Sequence, residues 1–173
     1  MIVRATAQTG HRGVLNVFGQ TFACALGAGG VVIDKHEGDR ASPAGRFPLR
    51  GALYRADRLE KPATGLPLRA IAPADGWCDS AGDAAYNRPV TLPYGASAEN
   101  LWRADNVYDL IVVIGYNDAP VRSGLGSAIF LHIATDGYGP TEGCVALARD
   151  DLLAVLARLE SGAEIEIRAA AGS

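Results

Sequence analysis

Apolar positions along this chain fall in short runs separated by turn formers, and most runs have the length and the alternation of strands. Segments 13–19 (GVLNVFG), 22–27 (FACALG), 45–55 (GRFPLRGALYR), 66–72 (LPLRAIA), 109–117 (DLIVVIGYN) and 127–134 (SAIFLHIA) are predicted strands. The tail 163–169 (AEIEIRA) alternates apolar and charged residues with period two, which predicts one more. Only 148–162 (ARDDLLAVLARLESG) has helical spacing, with Asp150 and Asp151 in its first turn and Gly162 as its stop. The pattern predicts a mainly β fold with one C-terminal helix. Two polar stretches, 34–45 and 78–109, lack periodicity. The second is too long for an idle connection in a compact domain, so it is expected to line something.

Composition narrows this picture. With 173 residues, 49% apolar, the chain is expected to form one domain over 1–173 with its own core. Sixteen basic against 19 acidic side chains give a net charge of -3 without a Lys/Arg run, which argues against nucleic acid and anionic membranes as partners. No apolar stretch suits a membrane span. The first ten residues lack the charged head and apolar middle of a signal peptide, so any export is expected to use a leader already removed or another route. Cys24, Cys78 and Cys144 are too few for a disulfide framework and show no zinc spacing; at most one pair can bridge, and Cys144 is expected to be free.

Cys144 stands out by its neighbourhood. Segment 127–134 reads as a buried strand that delivers His132 near its end, and TEGCVAL (141–147) reads as a turn entering a second apolar segment that delivers Cys144. The glycine-rich loop between them allows thiol and imidazole to meet, which is how a cysteine becomes a nucleophile. Gly143 permits a backbone conformation in which its own N–H and that of Cys144 point at one carbonyl oxygen, an oxyanion hole. Thr141 adds a hydroxyl nearby. Taken alone, a buried cysteine is more often a core residue than a nucleophile. His11 and His36 lie far upstream without ligand spacing, so no metal and no cofactor is expected.

These residues resemble a known family. His132 followed by TEGCVAL is similar to the His…(Ser/Thr)-x-Gly-Cys-(Val/Ile) signature of the L,D-transpeptidase catalytic domain, the YkuD domain. GDRASPAGRFPL (38–49) resembles the Gly-Asp-x-x-Thr-Pro-x-Gly-x-Phe-Pro-Leu segment upstream in that family, with Ser42 where Thr is usual. Segments 77–90, 108–117 and 126–134 extend the likeness to the short, single-domain branch, so that it covers about 31–159. The resemblance implies a YkuD-like β-sandwich with the helix packed on it and long loops around the active site. It further implies that Cys144 is acylated by a peptidoglycan stem peptide, with His132 as base and a backbone carbonyl orienting its ring. The acyl group would then pass to an amine on a neighbouring stem. One departure is visible: many members carry Arg two residues after the cysteine, and this chain has Ala146. A guanidinium there suits a donor carboxylate, so donor recognition is expected to differ, with a residue inside the stem in use.

Substrate contacts are expected from Tyr138 in the loop between the pair, from Tyr116 and Asn117 at a strand end, and from Trp77, Tyr86 and Asn87 in the long insert. Packing or turn chemistry is the competing role for each. His36 is expected at the surface of a structural loop. The expected partners are donor and acceptor stem peptides, the expected form a monomer, and the expected place the periplasm or cell envelope. Two other functions stay open: an L,D-carboxypeptidase or endopeptidase with water as acceptor, and a noncatalytic peptidoglycan-binding module.

Overall fold

A computed structural model of the chain describes residues 1–6 and 10–170. It is mainly β with one short helix, as the periodicity predicts. The opening strand β1 (Ile2–Ala5) is followed by the hairpin β2 (Arg12–Val17) and β3 (Gln20–Ala25). Phe18 and Gly19 turn that hairpin with φ of 51° and 78°, the double positive φ that matches strand twist in two-residue loops. Short β4 (Val31–Val32) and β5 (Ser42–Pro43) pair with each other, and the long β6 (Gly45–Tyr54) leads to β7 (Leu68–Ala70). The insert forms its own small sheet from β8 (Asp75–Cys78), β9 (Pro89–Thr91) and β10 (Ala98–Asn100). Then come β11 (Leu110–Ile114), β12 (Phe130–Ile133), β13 (Val145–Leu147), α1 (Arg149–Leu156) and β14 (Glu164–Arg168).

Nine strands make the main sheet, in the order β11-β12-β13-β3-β2-β1-β14-β6-β7. The order closes on itself through β6. Its first residues pair with β14 and its later residues with β11, where a register shift at Val113/Ile114 accommodates the bend. Closure leaves few exposed strand edges.

Strand alternation assigns the two faces. Leu110, Val112 and Ile114 of β11, Leu131 and Ile133 of β12, and Val145 and Leu147 of β13 enter the main core, together with Leu152, Val155 and Leu156 of α1. Each such side chain contributes about 1.5–3 kcal/mol by leaving water. The intervening residues face the other way. Ile111, Phe130 and Cys144 join Leu53, Leu101 and Tyr108 in a second apolar cluster under the insert. His132 alternates with Leu131 and Ile133, so it belongs to that second face. The parallel register of β12 with β13 sets His132 opposite Ala146.

The helix is shorter than its periodicity predicts. After Leu156 the chain tightens, with Arg158 N–H donating to Val155 O and Leu159 N–H to Leu156 O, which lets Leu159 reach the core before Gly162 turns the chain into β14. All three cysteines are free and buried, so Cys24 and Cys78 form no bridge. Among the described residues, no helix is long and apolar enough to cross a membrane.

Candidate active site

The two sequence motifs, about a hundred residues apart, meet at Cys144. The Thr141 hydroxyl donates to the Cys144 carbonyl at 2.7 Å, and the Ser42 hydroxyl donates to the same oxygen at 3.3 Å. Gly27 N–H in turn donates to Ser42 Oγ at 2.9 Å. Gly143 has φ of +133°, and a Cβ there would stand 2.8 Å from the Ala41 carbonyl oxygen. Glycine is therefore required twice, by conformation and by space. Gly143→Ala is expected to lower stability by about 2 kcal/mol or more, read as a fall in the urea midpoint at unchanged slope.

Two backbone groups hold the sulfur. Cys144 Sγ accepts from the Phe130 N–H at 3.3 Å and donates to the Ala128 carbonyl at 3.3 Å. His132 Nδ1 lies 2.9 Å from the Ile133 carbonyl. A carbonyl only accepts, so Nδ1 carries the proton and Nε2 keeps its lone pair. The edge of the Tyr108 ring packs on the imidazole, with centroids 5.4 Å apart at 72°. Among the described residues, no Asp or Glu hydrogen-bonds to the ring.

Burial sets the charge state of this pair. It pushes His132 down to about 4, against a smaller opposing effect of the Ile133 carbonyl. It pushes Cys144 up to about 12, and the charge of Glu99 adds to the rise while the Phe130 N–H opposes it. Burial thus favours a neutral thiol and a neutral imidazole over an ion pair. The thiol donates to Ala128 rather than to His132. Carbamidomethylation of Cys144 by iodoacetamide is thus expected to be slow at pH 7 and to rise only above the ordinary thiol range; a rate already at its plateau by pH 6 would contradict this.

Cys144, His132, Thr141 and Ala146 line one wall of a cavity of about 350 Å³. The rest of the lining comes largely from the insert and its neighbours and includes Glu37, Asp79, Glu99, Arg103 and Tyr108. The insert thus does line something. The Tyr108 hydroxyl donates to Glu99 Oε1 at 2.6 Å, and the Arg103 guanidinium lies 5.1 Å from the Tyr108 ring centre. Among the described residues, no group of His, Cys, Asp and Glu side chains is arranged to hold a metal ion.

Residues 12–167 match the YkuD family, the L,D-transpeptidase catalytic domain. The chain belongs to this family. Among solved structures it is similar to L,D-transpeptidase 1 of Mycobacterium tuberculosis, at 14% identity and a TM-score of 0.42, over 96% of this chain and 60% of that one. It is also similar to an L,D-transpeptidase from Mycobacterium smegmatis, at 14% identity and a TM-score of 0.43, over 96% of this chain and 57% of that one. The chain thus spans about 60% of the length of the first of these structures and 57% of the second. A search of curated proteins gave no match.

Within this member of the family, the six residues expected to contact substrate do not line the cavity. Tyr116 donates its hydroxyl to the Leu125 carbonyl and packs edge-on against Phe47. Asn117 (φ 48°) closes its own loop by accepting from Arg122 N–H and donating to the Arg122 and Gly126 carbonyls. Asn87 (φ 55°) is buried, donates to the Tyr116 and Asn117 carbonyls, and accepts from Trp77 Nε1 at 2.9 Å. Trp77 packs edge-on against Phe130. Tyr86 is buried and donates to Glu37, which it fixes at the cavity wall. Tyr138 (φ 54°) lies beneath the Arg12 guanidinium, 5.5 Å from its ring centre. All six hold loops or the second apolar cluster in place.

Two further expectations shift. Thr141 is on the wall, but its hydroxyl serves the backbone of Cys144. Gly143 is off the wall, and its N–H already donates to Thr141 Oγ1 at 3.2 Å. Among the described residues, the Cys144 N–H has no protein acceptor. The wall residues Glu99, Arg103 and Tyr108 were not singled out from the sequence, because nothing local marks them; only the length of their insert points there.

Proposed function

We propose that the protein is a cysteine-dependent L,D-transpeptidase that crosslinks peptidoglycan stem peptides through a Cys144 acyl-enzyme. The observation that supports it is that Cys144 and His132 line one cavity, with His132 Nδ1 held by the Ile133 carbonyl so that Nε2 is left to accept a proton. The thiol turns from Ala128 to His132 Nε2 and gives up its proton as sulfur attacks a stem carbonyl. The Cys144 N–H receives the developing oxyanion, joined by the Gly143 N–H as it leaves Thr141. His132 hands its proton to the departing amine. An amine from a second stem then attacks the thioester, its proton passes through His132, and the thiol is restored without ATP. The work of such an enzyme lies in the cell envelope.

The donor is atypical in this proposal. Ala146 stands opposite His132 and leaves no guanidinium beside the nucleophile, and the cavity wall carries Glu37, Asp79, Glu99 and Glu142 against Arg103. That field repels a donor presenting a free carboxylate next to the scissile bond and favours cleavage within the stem. Incubation with stem-peptide muropeptides and mass spectrometry with fragmentation tests both parts. New dimers are expected, joined through an internal donor residue. Dimers joined only between the third residues of two stems contradict the donor assignment. Shortened monomers without dimers make water the acceptor, and no change makes the protein a binding module.

A further inference from the structure

The imidazole of His132 is anchored by the bond from Nδ1–H to the Ile133 carbonyl at 2.9 Å. That bond selects a tautomer, but the outer torsion of a histidine side chain is broad and roughly two-fold, so the plane of the ring needs a second restraint. Tyr108 supplies one, since its ring packs on the imidazole with centroids 5.4 Å apart at 72°. Tyr108 is itself locked. It is 5% exposed, its hydroxyl donates to Glu99 Oε1 at 2.6 Å, and its ring meets that of Phe130 at 5.9 Å and 82°. The backbone before it is fastened from two sides. Buried Arg55 donates through Nη1 to the Arg103 carbonyl at 2.7 Å, and Arg58 donates to the Asp105 and Ala104 carbonyls at 2.7 and 3.1 Å. The Val107 carbonyl accepts from the Ile133 N–H at 3.1 Å. That contact ties the segment to the residue whose carbonyl receives Nδ1–H. An apolar filler would need none of these polar fastenings.

We infer that Tyr108 is a positioning residue: its ring, anchored by Glu99 and by the clamped segment 103–107, holds the His132 imidazole in the plane that keeps Nδ1 on Ile133 and Nε2 free for the Cys144 proton. The inference rests on the acyl-transfer reading above and adds the residue that orients its base. In other cysteine and serine acyltransfer sites a carboxylate or amide holds the histidine by a hydrogen bond. Here an aromatic ring limits rotation by contact and adds no charge beside the base. Glu99 acts through Tyr108, as the acceptor that fixes the far end of the ring.

The first arm of the test needs no turnover. Proton–nitrogen NMR correlation spectra of the His132 ring, taken on the intact protein at neutral pH, report which nitrogen carries the proton. The unmutated protein is expected to show the Nδ1–H tautomer alone. Tyr108→Leu should free the ring from Ile133 and populate the Nε2–H form as well, while Tyr108→Phe, which keeps the ring, should restore the single tautomer. The second arm mixes each protein with a stem tetrapeptide donor and follows the acyl-enzyme by mass in a single turnover. Tyr108→Leu should lower the saturating acylation rate by about 10²-fold, the cost of a misplaced catalytic group, with half-saturation by donor unchanged, and Tyr108→Phe should recover most of that loss. Tyr108→Met, which fills the space with a flexible chain, carries the same expectation if Tyr108→Leu does not fold. A single tautomer in folded Tyr108→Leu would overturn the inference, as would a mixture in the unmutated protein. Weaker donor saturation at an unchanged rate would also overturn it, by making Tyr108 a substrate contact. A tautomer change in Tyr108→Leu without any acyl-enzyme in the unmutated protein would overturn the transpeptidase reading and leave Tyr108 as the group that orients the ring.

Discussion

Cys144→Ala is expected to remove crosslink formation by about 10⁴-fold or more while the protein stays folded. The thiol is the atom that takes the acyl group, and no neighbouring hydroxyl can replace it: Thr141 and Ser42 both donate to the Cys144 carbonyl. The structural cost is small by comparison. Removing the sulfur leaves the Phe130 N–H without its acceptor and opens a small space in the second apolar cluster, together worth about 1–2 kcal/mol. Product formation by mass spectrometry, with urea unfolding of the same preparation, separates lost chemistry from lost fold. A variant that unfolds at the wild-type midpoint and still makes dimers would remove Cys144 from the mechanism.

His132→Gln is expected to slow turnover by about 10²–10⁴-fold, the usual contribution of a general base. Its second effect has a defined sign. Burial holds the folded imidazole at about 4, below the ordinary value of 6.5. Above about pH 6.5 both folded and unfolded chains carry a neutral ring, and the stability is fully present. As pH falls, the unfolded chain takes up the proton first, so stability is lost down to about pH 4 and no further. Roughly 3 kcal/mol is at stake over that window. Urea unfolding at pH 4, 5, 6 and 7 should show a difference in pH dependence between wild type and His132→Gln of about that size, all of it below pH 6.5. The acid limb of activity should likewise lie near pH 4; a limb near 6.5 would mean a solvated histidine.

Much of the fold was legible because one buried face leaves a period of two. It is visible in β2 and β14, while β11 and β12, buried on both faces, read as short unbroken apolar runs, and helical spacing marked α1. β1 was missed: four residues containing Arg4 are too short to show a pattern, and the strand is defined by its partners β2 and β14. The small sheet β8–β10 escaped for the same reason, since its strands hold three or four residues among turn formers.

The site was legible where its signal was local. Gly143 before Cys144, and a strand carrying His132, can be read from adjacent residues. The expected substrate contacts were chosen by residue type, and type alone does not separate a wall from a scaffold. Aromatic rings were drawn into packing, as with Trp77 on Phe130, and asparagines were used where the backbone turns left-handed, as at Asn87 and Asn117. Tyr108 and Glu99 gain their meaning from contacts made across the fold, which no spacing in the sequence records.

The central claim is that Cys144 carries the acyl group. The most direct measurement is to mix the protein with a stem tetrapeptide donor without acceptor, quench in acid within seconds, and weigh the intact protein before mapping the adduct by peptide fragmentation. The account predicts a single added acyl fragment on Cys144 that disappears when an amine is supplied. An unmodified Cys144 in protein that still consumes the donor, or an adduct on any other side chain, would contradict it.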